Sequence, residues 1–221
     1  MTSPAAGNAL AGLEPRSVWG FFARIAAVPR PSKREERIRK HVQELTGRHG
    51  LAFREDRMGN LVIDVPATPG HAAAPVTVLQ AHLDMVCEKN ASTRHDFDHE
   101  GIQMVVEKEA ASGELIVRAD GTTLGADNGI GVALALSAAT SPEVVHGPLE
   151  LLFTVDEEEG MTGAKALGRE SFRGRRMLNL DSEEGETLYI GCAGGCDLNL
   201  DRKSTRLNSS HGTLSRMPSS A

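Results

Sequence analysis

Val76-Thr-Val-Leu-Gln-Ala-His-Leu-Asp84 decides how the rest of this chain is read. Its apolar, β-branched start suits a buried strand, and it ends on an imidazole and a carboxylate two positions apart. Positions two apart share one side of an extended strand end, so Asp84 can accept the ring N–H of His82 that faces away from a ligand. Two more apolar runs end the same way: residues 149–155 run into Asp156-Glu-Glu-Glu159, and residues 177–180 run into Asp181. In open α/β sheets, ligands bind beyond the carboxyl ends of the strands, so all three ends are predicted to face one crevice.

Working outward, residues 17–28 carry Val18, Phe21, Phe22 and Ile25 at helical spacing and stop at Pro29 and Pro31. Ser32 with Glu35 reads as a capping box opening a second helix, whose stripe is Ile38, Val42 and Leu45. Residues 51–54 and 60–65 are expected to pair as strands, and residues 103–108 and 114–118 as a hairpin. Residues 128–139 and 162–167 read as helices. Strands alternating with helices predict an α/β fold on a largely parallel sheet.

Bulk properties narrow the function. The chain has 221 residues, 40% hydrophobic and 24% charged, which is ordinary globular composition. A net charge of −6 with both signs interspersed argues against nucleic acid as a partner. Three cysteines make no disulfide framework in a chain of this length, no stretch has the length of a membrane span, and the start has no secretory pattern. A soluble cytoplasmic protein is the expectation.

The acids point to metal chemistry. Asp127 lies in Leu124-Gly-Ala-Asp-Asn-Gly-Ile-Gly131, a glycine-rich turn where it could cap the next helix and still offer an oxygen to an ion. One imidazole among carboxylates suits zinc or another transition ion, and Asp127 is the choice for a carboxylate bridging two ions. Glu157 beside Glu158 would be costly when buried without metal; with it, one can be a ligand and the other a base. Taken alone, each feature has an ordinary alternative: a polar pair for His82 and Asp84, an N-cap for Asp127, a solvated loop for 156–159, an acidic loop at Asp181.

Together, Gln80-Ala-His-Leu-Asp-Met-Val86, Gly121-Thr-Thr-Leu-Gly-Ala-Asp-Asn-Gly-Ile-Gly131, Glu157-Glu-Glu-Gly-Met161 and Asn179-Leu-Asp-Ser-Glu-Glu-Gly-Glu186 resemble the aminoacyl-histidine dipeptidases, within the group of two-zinc aminopeptidases, carboxypeptidases and aminoacylases. The resemblance runs over residues 17–200. It implies a three-layer zinc-exopeptidase-like catalytic domain and two zinc ions. His82 and Asp181 would bind the first zinc, Asp127 would bridge, and Glu158 would bind the second. Asp84 would orient His82, and Glu157 would be the general base. The implied activity is hydrolysis of dipeptides of the Xaa-His, carnosine-like type. An aminoacylase-type amide hydrolase and a non-catalytic metal-binding or interaction protein are the rival readings.

The small, polar start over 1–16 is expected to be flexible. The resemblance then implies part of the catalytic domain over 17–190 and the entry to a lid or dimerisation domain over 191–200. The Ser-rich stretch over 201–221, without apolar periodicity and with residues 201–211 resembling translated sequencing adapter, is expected to be non-native. The family's remaining second-zinc histidine would lie beyond the lid. The chain is therefore expected to be a truncated, inactive part of a homodimeric parent. Cys192 and Cys196, spaced C-x₃-C without a second pair, are not expected to bind metal, nor are His95 and His99.

Overall fold

The computed structural model describes residues 9–182 and 187–191. They belong to two units, residues 1–183 and 184–221. The described part of the second unit, 187–191, contains no helix or strand. The expected lid entry beyond Gly191 and the whole of 201–221 lie outside the described residues.

Helix α1 (Arg16–Ala26) buries Val18, Phe21, Phe22 and Ile25, the stripe its spacing predicts. Residues before it are not all loose as expected: Leu10 is buried in the core, and Trp19 Nε1 donates to the Glu14 carbonyl at 3.1 Å. Helix α2 (Glu36–Arg48) buries Ile38, Val42 and Leu45. Its predicted capping box does not form. Glu35 is the N-cap and makes no side-chain cap, while the Ser32 hydroxyl donates to Asp84 Oδ2 at 2.8 Å. The hydroxyl turns towards this charged acceptor from a distant part of the chain and so away from the local backbone N–H it would cap.

Strands β1 (Ala52–Glu55), β2 (Leu61–Val65), β3 (Thr77–His82), β6 (Leu149–Thr154) and β7 (Arg176–Asn179) form one mixed sheet in the order β1-β2-β6-β3-β7. Pairing is antiparallel across β1-β2-β6 and parallel across β6-β3-β7. The parallel part carries the predicted site. Strands β4 (Met104–Lys108) and β5 (Leu115–Ala119) make the expected separate hairpin.

The period-two alternation of the strands gives the sheet two unlike faces. Leu61, Ile63, Leu79, Ala81, Leu151 and Phe153 point into the main core, packed with residues of α1, α2 and α3 (Ala126–Thr140). The opposite face has a smaller apolar cluster of Val62, Val78 and Leu152 under Leu167 and Phe172. That third layer is thin among the described residues; its only helix is α4 (Thr162–Lys165). Glu150, wholly buried on the same face, accepts from Arg54 Nη2 at 2.7 Å, Arg173 N at 2.7 Å and Gly174 N at 2.8 Å. It thereby ties the segment leading into β7 to the middle of the sheet. No helix among the described residues is long and apolar enough to cross a membrane.

Candidate metal centre

His82 is the last residue of β3 and is fully buried. Its Nδ1 lies 3.2 Å from Asp84 Oδ1, which fixes the ring. Its Nε2 lies 2.9 Å from Asp127 Oδ1 and 3.8 Å from Asp181 Oδ2. Asp127 reaches this position because it does not cap α3. Gly125, at φ 68°, takes the N-cap position, and Asp127 and Asn128 break helical geometry with ψ 113° and 32°. The bend turns the carboxylate away from the helix and towards the end of β3. Gly131 lets α3 pass close to the far side, since a Cβ there would lie 2.9 Å from the Leu180 carbonyl oxygen.

The acidic loop after β6 is held from two directions. Asp84 accepts the backbone N–H of Glu157 at 3.0 Å and that of Glu158 at 3.1 Å. Glu35 accepts the backbone N–H of Asp156 at 2.9 Å. Asp156, buried at φ 52°, makes the turn that sends the next two residues towards the site. Donor atoms of His82, Asp127 and Glu158 then all lie within 4.8 Å of one another, a span one or two ions can bridge. Asp181 stands at the end of β7, and its backbone N–H donates to Asn179 Oδ1 at 2.7 Å. Asn179 in turn donates to Gln80 of β3 at 2.6 Å.

The electrostatics fit a cation. Burial opposes protonation of His82, yet its bonds to Asp84 and Asp127 hold the imidazole up at about 9. Burial likewise opposes the charge on Asp84, and its donors win, holding it down at about 2. The ligand-type carboxylates shift the other way. Burial and then Asp127 raise Glu158. Burial lifts Asp181 to about 6 against the pull of His82, and Asp127 and Glu157 add to the rise. Glu158 and Asp181 thus resist ionisation where they stand, a penalty that a divalent ion held beside them would relieve. Glu157 lies beside this group and, with Thr154, Gln80, Asn179 and Asp181, lines an open cleft of about 520 Å³. Met161, Leu167, Phe172 and Met177 form its apolar side.

All six residues singled out in the sequence therefore lie at this sheet edge. His82, Asp127 and Glu158 form the tightest group, Asp84 stands behind the ring, Asp181 flanks it, and Glu157 faces the cleft. Sequence reasoning missed Ser32 and Glu35, which it assigned to a helix cap, and Arg30. Cys87 is a free cysteine and stands outside the group. Neither His95 nor His99 joins a metal-type cluster among the described residues.

No family model matches the chain. It is 44% identical to the cytosol non-specific dipeptidase of Escherichia coli, over 88% of this chain and 40% of that protein. It is also 44% identical to the crystal structure of aminoacylhistidine dipeptidase from Vibrio alginolyticus, with a TM-score of 0.75 over 79% of this chain and 34% of that one. An aminopeptidase PepT structure from Bacillus cereus matches with a TM-score of 0.60 at 26% identity, over 76% of this chain and 43% of that one. The chain thus spans about two fifths of the length of the curated dipeptidase it matches. Over that span, in sequence and in fold, it is a relative of the aminoacylhistidine, or cytosol non-specific, dipeptidases.

Proposed function

We propose that the chain carries the metal-binding part of a dizinc dipeptidase acting on Xaa-His, carnosine-like dipeptides. The observation that carries this reading is the convergence of His82, Asp127 and Glu158 within 4.8 Å at the carboxyl edge of the parallel strands. The names of the relatives, dipeptidase and aminopeptidase, supply the reaction class.

In this reading His82, Asp127 and Asp181 hold one ion, and Asp127 and Glu158 contribute to a second. Bound there, the ions supply Lewis-acid polarisation of the scissile carbonyl and make water easier to deprotonate. Asp84 keeps the His82 Nδ1–H engaged, so Nε2 presents its lone pair to the site. Glu157 takes a proton from the attacking water and returns it to the departing amine nitrogen. The cleft beside Glu157 receives a substrate side chain, with Met161, Leu167 and Phe172 as its apolar wall. A cytosolic site of action and a homodimer formed through a second domain complete the proposal.

The test expresses the chain within its full reading frame and assays Xaa-His dipeptides and N-acyl amino acids side by side, with and without a chelator. Chelation is expected to abolish dipeptide hydrolysis. Glu157→Gln is expected to lower kcat by roughly 10²–10⁴-fold with the metal still bound. Hydrolysis that survives chelation, or is unchanged in Glu157→Gln, would overturn the mechanism, and a preference for N-acyl amino acids would move the substrate to the aminoacylase class.

A further inference from the structure

Arg30 sits between Pro29 and Pro31 in the connection from α1 to α2, and it is 1% exposed. Its guanidinium touches no carboxylate among the described residues. Instead Nη1 donates to the carbonyls of Leu83, at 3.0 Å, and Asp84, at 2.8 Å. Nη2 donates to the carbonyl of Gly125, and Nε has no hydrogen-bond partner among the described residues. The first two carbonyls belong to the turn that follows His82. The third belongs to the turn that presents Asp127.

The surroundings are shaped to the guanidinium. A Cβ on Gly125 would collide with Nη2, and one on Gly129 would lie 2.8 Å from it and 3.0 Å from Phe22 Cε2. The rest of the connection runs on along the site. Met85 N donates to the Arg30 carbonyl at 3.1 Å, and Pro31 bridges to Met85. Burial lowers the guanidinium to about 10, with Asp84 and Asp127 among the charges that pull it back up. A fully buried cation bonded only to main-chain oxygens is a costly arrangement for packing alone.

We propose that Arg30 is a positioning residue for the metal centre, a clamp whose guanidinium sets the separation between the His82 turn and the Asp127 turn. The inference rests on the metal reading of the site and goes beyond it. A guanidinium is a planar fork that can bond to both turns at once, whereas an ammonium is a compact point charge with no fork. Fork geometry, and not positive charge alone, is what the site requires.

The test titrates Co(II) into the 221-residue chain and follows both the d–d absorption and the dissociation constant, beside circular dichroism and thermal melting. Wild-type protein is expected to bind Co(II). Arg30→Lys and Arg30→Met are each expected to bind it at least tenfold more weakly, with a shifted d–d band, while remaining folded. Gly129→Ala, which crowds the guanidinium without removing it, is expected to weaken binding in the wild-type background and to have little further effect in Arg30→Met. If Arg30→Met does not fold, Gly129→Ala and Arg30→Lys decide the question. Native affinity and an unchanged band in Arg30→Lys would overturn the clamp, because charge without the fork would then suffice. Additive losses from Gly129→Ala and Arg30→Met would also overturn it, since the glycine would be acting through Phe22. Failure of the wild-type protein to bind Co(II) would instead overturn the metal reading, and the clamp with it.

Discussion

His82 Nε2 meets Asp127 Oδ1 at 2.9 Å although the two residues are 45 positions apart in the chain. With Asp84 on the other ring nitrogen, the imidazole is a protonated bridge between two carboxylates up to about pH 9. A metal ion that takes Nε2 must therefore displace a proton. Apparent affinity is expected to rise with pH, by up to about tenfold per unit below pH 9, and to level off above it. Asp181, at about 6, steepens the dependence below that pH. Calorimetry of Co(II) binding in buffers of different ionisation heat should show about one proton released at pH 7.5. Binding with no proton release at that pH would refute the bridge.

The same groups set how the chain's stability varies with pH under a chelator. His82 is raised from 6.5 to about 9, so its contribution is full below 6.5 and lost as pH rises through 9. Asp181, raised from 3.8 to about 6, adds a loss in the same direction as pH rises through 6. Asp84, lowered from 3.8 to about 2, contributes above 3.8 and loses that contribution as pH falls through 2. The chelated protein is expected to melt at a lower temperature at pH 9.5 than at pH 6. A higher melting temperature at pH 9.5 would contradict the assignment.

Asp84→Asn removes an anion that accepts from Ser32, Glu157 N, Glu158 N and His82. An amide cannot accept all four, and its NH₂ faces a backbone donor. The expected cost is about 1–3 kcal/mol of stability in a denaturant titration. Metal affinity is expected to fall by roughly 10–100-fold, because ring and loop both lose their support. Unaltered affinity would show that Asp84 is not what orients them.

Glu150→Gln separates support of the sheet from support of the metal. Glu150 is wholly buried, but its arginine partners remain 40% and 67% exposed, so water screens part of what they lose. About 1–3 kcal/mol of stability is expected to go, chiefly from the bonds to Arg173 N and Gly174 N. Co(II) affinity is expected to change by less than about twofold, a limit within the usual additivity error for distant sites. A larger loss would mean that the entry to β7 sets the position of Asp181.

What the sequence made legible was local. A strand running into His82 and Asp84 encodes their contact in a spacing of two. The stripes of α1 and α2 and the hairpin of β4 and β5 follow the same logic. What it hid depended on partners distant in the chain. Ser32 and Glu35 satisfy a capping-box pattern, yet Asp84 and Asp156 N claim their side chains. Asp127 satisfies an N-cap pattern, yet the bend at Asp127 and Asn128 sends it to His82. Arg30 could not be read from motifs, because its partners are carbonyl oxygens 53 to 95 residues away. The visible signals were a charged residue between two prolines and, for Glu150, a lone acid inside an apolar run.

His82, Asp127 and Glu158 are scattered so widely that no short piece of this chain contains a usable pair of ligands. An unfolded or half-made chain can offer an ion only isolated side chains, and isolated side chains bind weakly. Tight capture would become available only after the parallel strands have paired and α3 has bent into place. The ion would then serve as an inspector of assembly, held by finished molecules and passed over by misfolded ones.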